Sequence, residues 1–407
     1  MATSQRPPGH DLIVVGASVR AFACSAARAG WTVHAADLFG DADLRAVAAT
    51  TAAVGGCGES PYPQRLVAAA KALPAAPWCY TGALENHPDI IAAIAEQRLL
   101  LGTSAAAASA VRDHARLADL LQTAGVGFPD TFPTPAHVPR DGTFLVKPRA
   151  SAGGRGIAVW DHDSRGREHD AHVWQRRMVG ESWAAAFVVS HTGAARLWGV
   201  SRQLVGLDWC HARPFAYCGS LDLPLSLVPP HVRAAVDRVG NTVATAFAPL
   251  GLAGLIGIDL VVDPSGHVHV IEINPRPTAS MELFERSTGE SLAGVHVAAC
   301  GGHVPALSAR GPGSTIWGKA VLFAAHDIVI DAERLASLQR ACLPLTADET
   351  TWPVLADIPC VGTAIPAAAP LLTVFAAAAD HARVLGRLRH RAAAIDAVMS
   401  AGEPTRH

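Results

Sequence analysis

Three oxygen-bearing side chains, Asp259, Glu272 and Asn274, flank the turn-like DPSG in GLIGIDLVVDPSGHVHVIEINP (254–275). Apolar runs on both sides of that turn predict a β-hairpin. Glu272 and Asn274 are two residues apart and so project from one face of their strand. Positions 259 and 272 lie almost symmetrically about the turn, which makes them direct or diagonal cross-strand neighbours. Oxygen-only ligation suits Mg2+ or Mn2+, which take one or two carboxylates together with substrate phosphates. A half-exposed hairpin with a solvated polar side is the alternative. Upstream, Lys147 ends the strand-like TFLVKP (143–148) and is followed by the glycine-rich SAGGRGI (151–157). Backbone N–H groups of such a loop can fold over phosphates while a nearby lysine supplies a point charge. A glycine-rich hairpin tip is the alternative here. The two features together are far more specific than either.

The elements that must position these groups follow from length and composition. At 407 residues the chain has room for two to three domains and a sizeable core. With 50% apolar residues and 35 acids against 33 bases it reads as a soluble globular protein with no long-range preference for nucleic acid. Eight cysteines without CxxC spacing point to free thiols in a reducing compartment. The uncharged stretches Arg238–Asp259 and Asp357–Asp380 are each broken by glycines or prolines, so neither is expected to span a membrane. Near Arg6 two prolines precede a strand-like DLIVVG, without an uninterrupted secretory apolar run. The expectation is a cytoplasmic protein with neither nucleic-acid nor membrane partners. Only Lys71, Lys147 and Lys319 are lysines, against thirty arginines. A lysine retained in that company draws attention to Lys147 and Lys319.

DLIVVGAS (11–18), the helix-like 20–30 and WTVHAAD (31–37) read as the start of an open α/β sheet, whose ligands sit at the carboxyl ends of its strands. The turn GASVRA lacks the GxGxxG of a dinucleotide site. The sheet is expected to continue through PWCYTGALEN (77–86) and RLLLGTS (98–104), closing a domain at 1–105. A helical, proline-rich linker (106–140) precedes a small strand-rich unit (141–180), a larger subdomain (181–310) with a helix over about 230–247, and a β-rich C-terminal region (311–407).

Together these features resemble the ATP-grasp superfamily, over most of the chain. The resemblance implies an α/β (α+β) ATP-grasp fold, an N-terminal pre-ATP-grasp domain and a β-rich C-terminus. It also implies that Lys147 and the Ser151, Gly153, Gly154, Gly156 loop close over ATP while Asp259, Glu272 and Asn274 hold Mg2+ or Mn2+. WQRRMVGES (174–182) looks like the family's hinge, which would put Gln175, Arg177, Met178 and Glu181 around the nucleoside. Arg276 in NPRP fits the family's arginine that neutralises a phosphate or acyl phosphate. More narrowly, GASVRA, GALENHPDII, SRQLVG, NPRPTASMELFE, STGESL, WGKAVLFA and DIPCVGTAI are similar to predicted ATP-dependent carboligases related to biotin carboxylase. The implied activity is an ADP-forming carboxylate–amine ligation through an acyl phosphate, with a small-molecule acid and an amine as partners and a homodimer as an open expectation. The alternatives are a bicarbonate-activating carboligase, a carboxylate–thiol ligase and a non-catalytic nucleotide-binding regulator.

Two departures stand out. The family's DK pair before the lid is replaced in VRDHARLADLLQTAGV (111–126), where His114 and Arg116 are the candidates for the missing lysine. Ser280 and Met281 stand where biotin carboxylase carries a Glu–His pair, which weakens the bicarbonate reading. Glu85 and Asn86 follow a strand of the open sheet and are substrate candidates, with Gln203, Tyr217 and Ser280 behind them; capped-turn residues are the alternative for the first two. Lys319 is a catalytic candidate beside Arg276 and Lys147. His267 and His269 have odd parity on a strand whose ligands are even, so they should face away from the metal. Cys210, His211 and Cys218 lack zinc spacing, and Asp37 and Asp41 serve equally well as loop acids.

Overall fold

The computed structural model describes residues 10–55, 62–164, 171–308, 310 and 313–400; Cys57 and the run around Arg6 lie outside them. Strands β1 (Asp11–Val15), β2 (Thr32–Asp37), β3 (Thr50–Ala53) and β4 (Trp78–Tyr80) form a parallel sheet in the order β3-β2-β1-β4. β1 is apolar without alternation because both of its faces are covered. Leu12 and Val14 pack with Phe22 of the helix Arg20–Arg28, while Ile13 and Val15 pack with Leu66 and Ile91 on the other side. The run 98–104 does not continue the sheet as a strand; Leu100 makes one bridge to Trp78. The chain is drawn off toward the central domain, where the Ser104 N–H donates to Gly251 O (2.9 Å) and the Thr103 hydroxyl to Ala253 O (3.2 Å).

Helices Ala105–Ala110 and His114–Thr123, capped by the side chains of Ser104 and Asp113, lead into a four-stranded lid. Its strands are β5 (Thr131–Phe132), β6 (Asp141–Pro148), β7 (Ala158–Asp161) and β8 (His172–Arg176), in the order β5-β8-β6-β7. The proline-rich run thus contributes β5, so the lid sheet begins before residue 141.

The remaining strands are β9 (Glu181–Val189), β10 (Ala195–Val205), β11 (Tyr217–Leu223), β12 (Gly254–Val262), β13 (Val268–Asn274), β14 (Ile316–Phe323), β15 (Ile328–Val329), β16 (Leu355–Ala356), β17 (Ala364–Ile365) and β18 (Pro370–Ala378). Eight of them form one antiparallel sheet, β13-β12-β9-β10-β11-β14-β18-β16, while β15 and β17 pair separately. β9 shows the period of two that organises the core. Trp183, Ala185, Phe187 and Val189 face the helix Pro230–Phe247, whose Val232, Val236, Val239 and Val243 form its buried stripe. Ala186 and Val188 face the opposite layer, where Phe284 and Val295 meet Phe22 of the N-terminal domain. β14, β18 and β16, all after residue 310, extend this same sheet, and the helix His381–Ser400 covers it through Val384, Leu388 and Ile395.

Candidate functional site

The hairpin is the centre of the site. Asp259 on β12 is the direct register partner of Glu272 on β13, and Gly257 is the partner of Asn274. A β-bulge follows, because Leu260 pairs with Val270 and leaves Ile271 as an extra residue. The bulge resets the strand's parity: Ile273 faces the core on one side of it, Val270 and Val268 on the other. His269 therefore shares the face of Glu272, contrary to the parity argument, but its Nε2 lies 3.2 Å from Asp263 Oδ2 in the turn. His267 Nδ1 is likewise engaged by Ser265 Oγ at 2.7 Å. Among the described residues no three His, Cys, Asp or Glu side chains are grouped to hold a metal. A bound cation would take its ligands from Asp259, Glu272 and Asn274 and complete its shell with phosphate oxygens, the arrangement typical of Mg2+.

The chemistry of the donor set fits that ion. Asp259 accepts from Gln203 Nε2 at Oδ1 (2.8 Å) and from Asn274 Nδ2 at Oδ2 (3.0 Å). Burial, reinforced by the charge of Glu272, pushes its carboxyl up to about 7, the strain a divalent cation would relieve. Burial also opposes the ionised form of Glu272, but Arg112 and Lys147 outweigh it and hold that carboxyl below its usual range. Arg112 Nη1 donates to Glu272 Oε1 at 2.7 Å. Gln203, a substrate candidate by sequence, is here the residue that orients Asp259. Tyr217 donates to or accepts from Ser220 Oγ (3.0 Å), and Ser280 is similarly paired with Thr278 Oγ1 (3.2 Å).

Lys147 lies on β6 opposite Val173, and its Nζ donates to Gln175 Oε1 on β8 at 2.9 Å. Burial lowers its pKa, against the pull of Glu272 and Asp259. The glycine loop follows with Gly153, Gly154 and Gly156 all at positive φ (63°, 76° and 80°), which residues with a Cβ rarely adopt. A Cβ on Gly154 would also overlap the carbonyl oxygen of Phe215. The loop is docked from two sides: the Tyr217 N–H donates to Gly153 O (3.0 Å), and Asn86 Nδ2 donates to Ser151 O (3.1 Å). In the hinge, Arg177 and Glu181 are exposed and Met178 half-buried, with Glu181 Oε2 accepting from Trp183 Nε1 (3.0 Å).

Arg276 links the hairpin to the N-terminal domain. Its Nη2 donates to Glu85 Oε1 at 2.6 Å and to Asn274 Oδ1 at 3.3 Å. Glu85 and Asn86 occupy one 3-10 turn, Leu84–Asn86, after β4, as the strand-end argument places them. Glu85 is only 1% exposed, and its Oε2, Asn86 Oδ1 and Arg276 Nε have no partner.

Lys319 is engaged within the protein itself. It is 2% exposed, and its Nζ donates to Glu282 Oε2 (3.1 Å) and Ala279 O (3.2 Å). Glu282 also receives Arg20, and Arg20 reaches Asp357 (Nε to Oδ1, 2.9 Å). Arg286 joins at 3.6 Å and stacks 3.4 Å over Phe375. GASVRA, NPRPTASMELFE, WGKAVLFA and DIPCVGTAI therefore meet in one buried ion network. The retained lysine has a partner, but that partner is a buried carboxylate of this network. Asp37 and Asp41, taken equally well as loop acids, are buried at its margin, and burial followed by the charge of Asp357 pushes Asp41 up to about 8.

Residues 111–280 match the ATP-grasp domain family. No curated protein sequence matches the chain. Its structure is similar to Campylobacter jejuni biotin carboxylase, solved as a beta-gamma-ATP complex, at 13% identity over 96% of this chain and 95% of that one, with a TM-score of 0.68. It is also similar to the biotin carboxylase domain dimer of Hydrogenobacter thermophilus 2-oxoglutarate carboxylase, in complex with MgADP, ADP and bicarbonate (14% identity, 92% and 88% covered, TM-score 0.65). A third likeness is to N5-carboxyaminoimidazole synthetase from Staphylococcus aureus (14% identity, 94% and 97% covered, TM-score 0.63). The fold of this chain is the ATP-grasp fold, with mixed α/β layers.

Proposed function

Starting from a chain that carries an ATP-grasp domain over residues 111–280, we propose an ADP-forming ligase that phosphorylates a carboxylate and passes the acyl phosphate to an amine. The observation that carries this reading is the convergence on one hairpin of an opposed carboxylate pair, Asp259 and Glu272, and an arginine, Arg276, held by the buried Glu85 of the N-terminal domain. Asp259, Glu272 and Asn274 would hold a divalent cation, which supplies charge neutralisation on the transferring phosphoryl group.

The chain's own groups do the rest. Lys147 and the amides of the 151–156 loop bind the nucleotide's phosphates, and Gln175 keeps the Lys147 ammonium aimed through a neutral amide. Gln175, Arg177, Met178 and Glu181 line the nucleoside end. Arg276 faces the acceptor carboxylate and disperses charge as the phosphoryl group arrives. Glu85 and Asn86, at the carboxyl end of β4, border the acid and amine. No covalent nucleophile is required.

The bicarbonate-activating alternative is favoured by likeness to a fold solved with MgADP and bicarbonate. Ser280 and Met281 stand against it. The test is a matrix of acids and amines, with and without added bicarbonate, assayed for ADP, phosphate and pyrophosphate. Acid-dependent ADP and phosphate release, with a hydroxamate formed in hydroxylamine, is the expected result. Stoichiometric pyrophosphate would overturn the acyl-phosphate mechanism, and strict bicarbonate dependence would install the alternative.

A further inference from the structure

The 3-10 turn Leu84–Asn86 makes its own backbone bonds: the Asn86 N–H donates to Ala83 O (3.2 Å) and the His87 N–H to Leu84 O (2.9 Å). The helix Pro88–Ala95 that follows takes no side-chain cap either. Glu85 and Asn86 are therefore not cap residues, and their polar ends serve other contacts. Glu85 spends Oε1 on Arg276 (2.6 Å), and Asn86 spends Nδ2 on Ser151 O at the start of the glycine loop (3.1 Å). Because a carbonyl oxygen only accepts, this bond fixes the amide's orientation and leaves Oδ1 as its other end. One short turn of the N-terminal domain thus holds the hairpin through one side chain and the lid through the next.

Two buried acceptors remain on the turn, Glu85 Oε2 and Asn86 Oδ1, and neither has a partner. The Tyr62 hydroxyl, also buried and unpartnered, belongs to the same neighbourhood: its ring meets His87 edge-on at 6.5 Å, and burial followed by the charge of Glu85 raises its pKa. Docked on the lid in this way, the turn keeps acceptors out of water without replacing their hydrogen bonds, which costs free energy. A ligand that brings N–H donors removes that cost. Of the two organic substrates of a carboxylate–amine ligase, the amine carries such donors, whereas a carboxylate would set its oxygens against Glu85. The acid is served instead by Arg276, whose buried Nε is a donor without an acceptor. We propose that Asn86 couples the amine substrate to the lid: an N–H of the amine is accepted at Asn86 Oδ1 and Glu85 Oε2, and the amide so fixed holds Ser151 O and the glycine loop in place. Amine and nucleotide then bind cooperatively, each raising the affinity of the other by the same factor. The proposal rests on the ligase reading and makes Asn86 a positioning residue for the nucleotide, which it reaches only through the loop.

The test is calorimetric titration of the full chain with Mg2+ and AMP-PCP, a non-hydrolysable ATP analogue, alone and with each of a fixed set of amines. The set is ethylamine, 1,4-diaminobutane, glycine and L-glutamate, with ethyltrimethylammonium and N,N,N-trimethylglycine as counterparts that have no N–H. In wild type at least one primary amine should tighten AMP-PCP at least about fivefold, the low end of ordinary coupling, and the donor-free counterparts should not. Asn86→Ala should abolish the tightening. Asn86→Asp keeps the acceptor but loses the donor to Ser151 O, so it should still bind the amine and show no coupling. Absence of coupling with every amine in wild type, or coupling undiminished in Asn86→Ala, would overturn the assignment. An equal loss of AMP-PCP affinity in Asn86→Ala with and without amine, at a lowered unfolding temperature, would make the residue structural and overturn it as well. The ligase reading is decided separately by acid-dependent ADP release in wild type: release without coupling sinks only the role of Asn86, and coupling without release from any acid sinks the ligase.

Discussion

Replacing Glu85 by Gln isolates the contact between the two halves of the site. The carboxylate is 1% exposed, the Arg276 side chain 12%, and the pair is joined at 2.6 Å. Gln keeps the shape and one acceptor but removes the charge that holds Arg276. Complete loss of one partner of a buried ion pair costs ~3–5 kcal/mol. Because Gln can still accept from the guanidinium, the relevant scale is the ~1.5–3 kcal/mol of a hydrogen bond to a charged group. If Arg276 works mainly on the transferring phosphoryl group, that loss is expressed in the transition state as roughly a ten- to 150-fold fall in kcat/KM for the acid. ATP affinity, which the proposed function assigns to Lys147 and the glycine loop, should stay within about twofold, or ~0.4 kcal/mol. The assays are acid-dependent ADP release and calorimetric titration with ATP. A variant that loses ATP affinity, or keeps full turnover with every acid that wild type uses, would refute the division of labour between Glu85 and the lid.

Glu272→Gln and Asn274→Ala should each lower turnover at least tenfold with far-UV circular dichroism unchanged, since each removes a ligand offered to the cation; full activity in both would remove the metal assignment. Lys319→Met should lower stability in chemical unfolding by ~3–5 kcal/mol while KM for ATP is unchanged, and a kinetic defect at native stability would return Lys319 to the catalytic set. Asp41 is held up to about 8 in the folded protein, so the stability it lends is complete below the unfolded value near 4 and is lost as pH rises through 8. Asp41→Asn should therefore gain on wild type by ~2 kcal/mol between pH 6 and 8, at ~1.4 kcal/mol per unit, in denaturant titrations at the two pH values; parallel curves would place Asp41 in water.

The sequence carried the hairpin and the near-symmetry of Asp259 and Glu272 about its turn, but counting outward from a four-residue turn sets Asp259 against Val270; the direct opposition to Glu272 comes from the Val262–Val268 offset and the extra residue at 271. It could not carry the orientation of His269, since one extra residue at 271 inverts every face beyond it and leaves no compositional trace. Glu85 and Asn86 were legible as the residues after a parallel strand. Lys319 was conspicuous among arginines, but its partner, Glu282, comes from another element, and spacing says nothing of such contacts. The resemblance to a DK pair points to His114 and Arg116, whereas Arg112, just before the Asp113 cap, is the residue whose side chain reaches the hairpin. The 98–104 run has the composition of a strand and is diverted by hydrogen bonds to the central domain that local sequence does not encode.

The continuity of the eight-stranded sheet bears on how the chain is made. β11 ends at Leu223, and the strand that pairs with its free edge, β14, begins at Ile316, about ninety residues later. β14 in turn waits for β18, which ends at Ala378. At ribosomal rates the open edge of β11 stands uncovered for roughly 5–20 s, while the hairpin, with its carboxylates, has already emerged. Unpaired edges of that kind recruit other strands. Production of this protein should therefore respond to the speed of elongation and to chaperones that shield nascent strands, and shortening the chain after the hairpin would leave a permanently sticky sheet in place of a smaller folded unit.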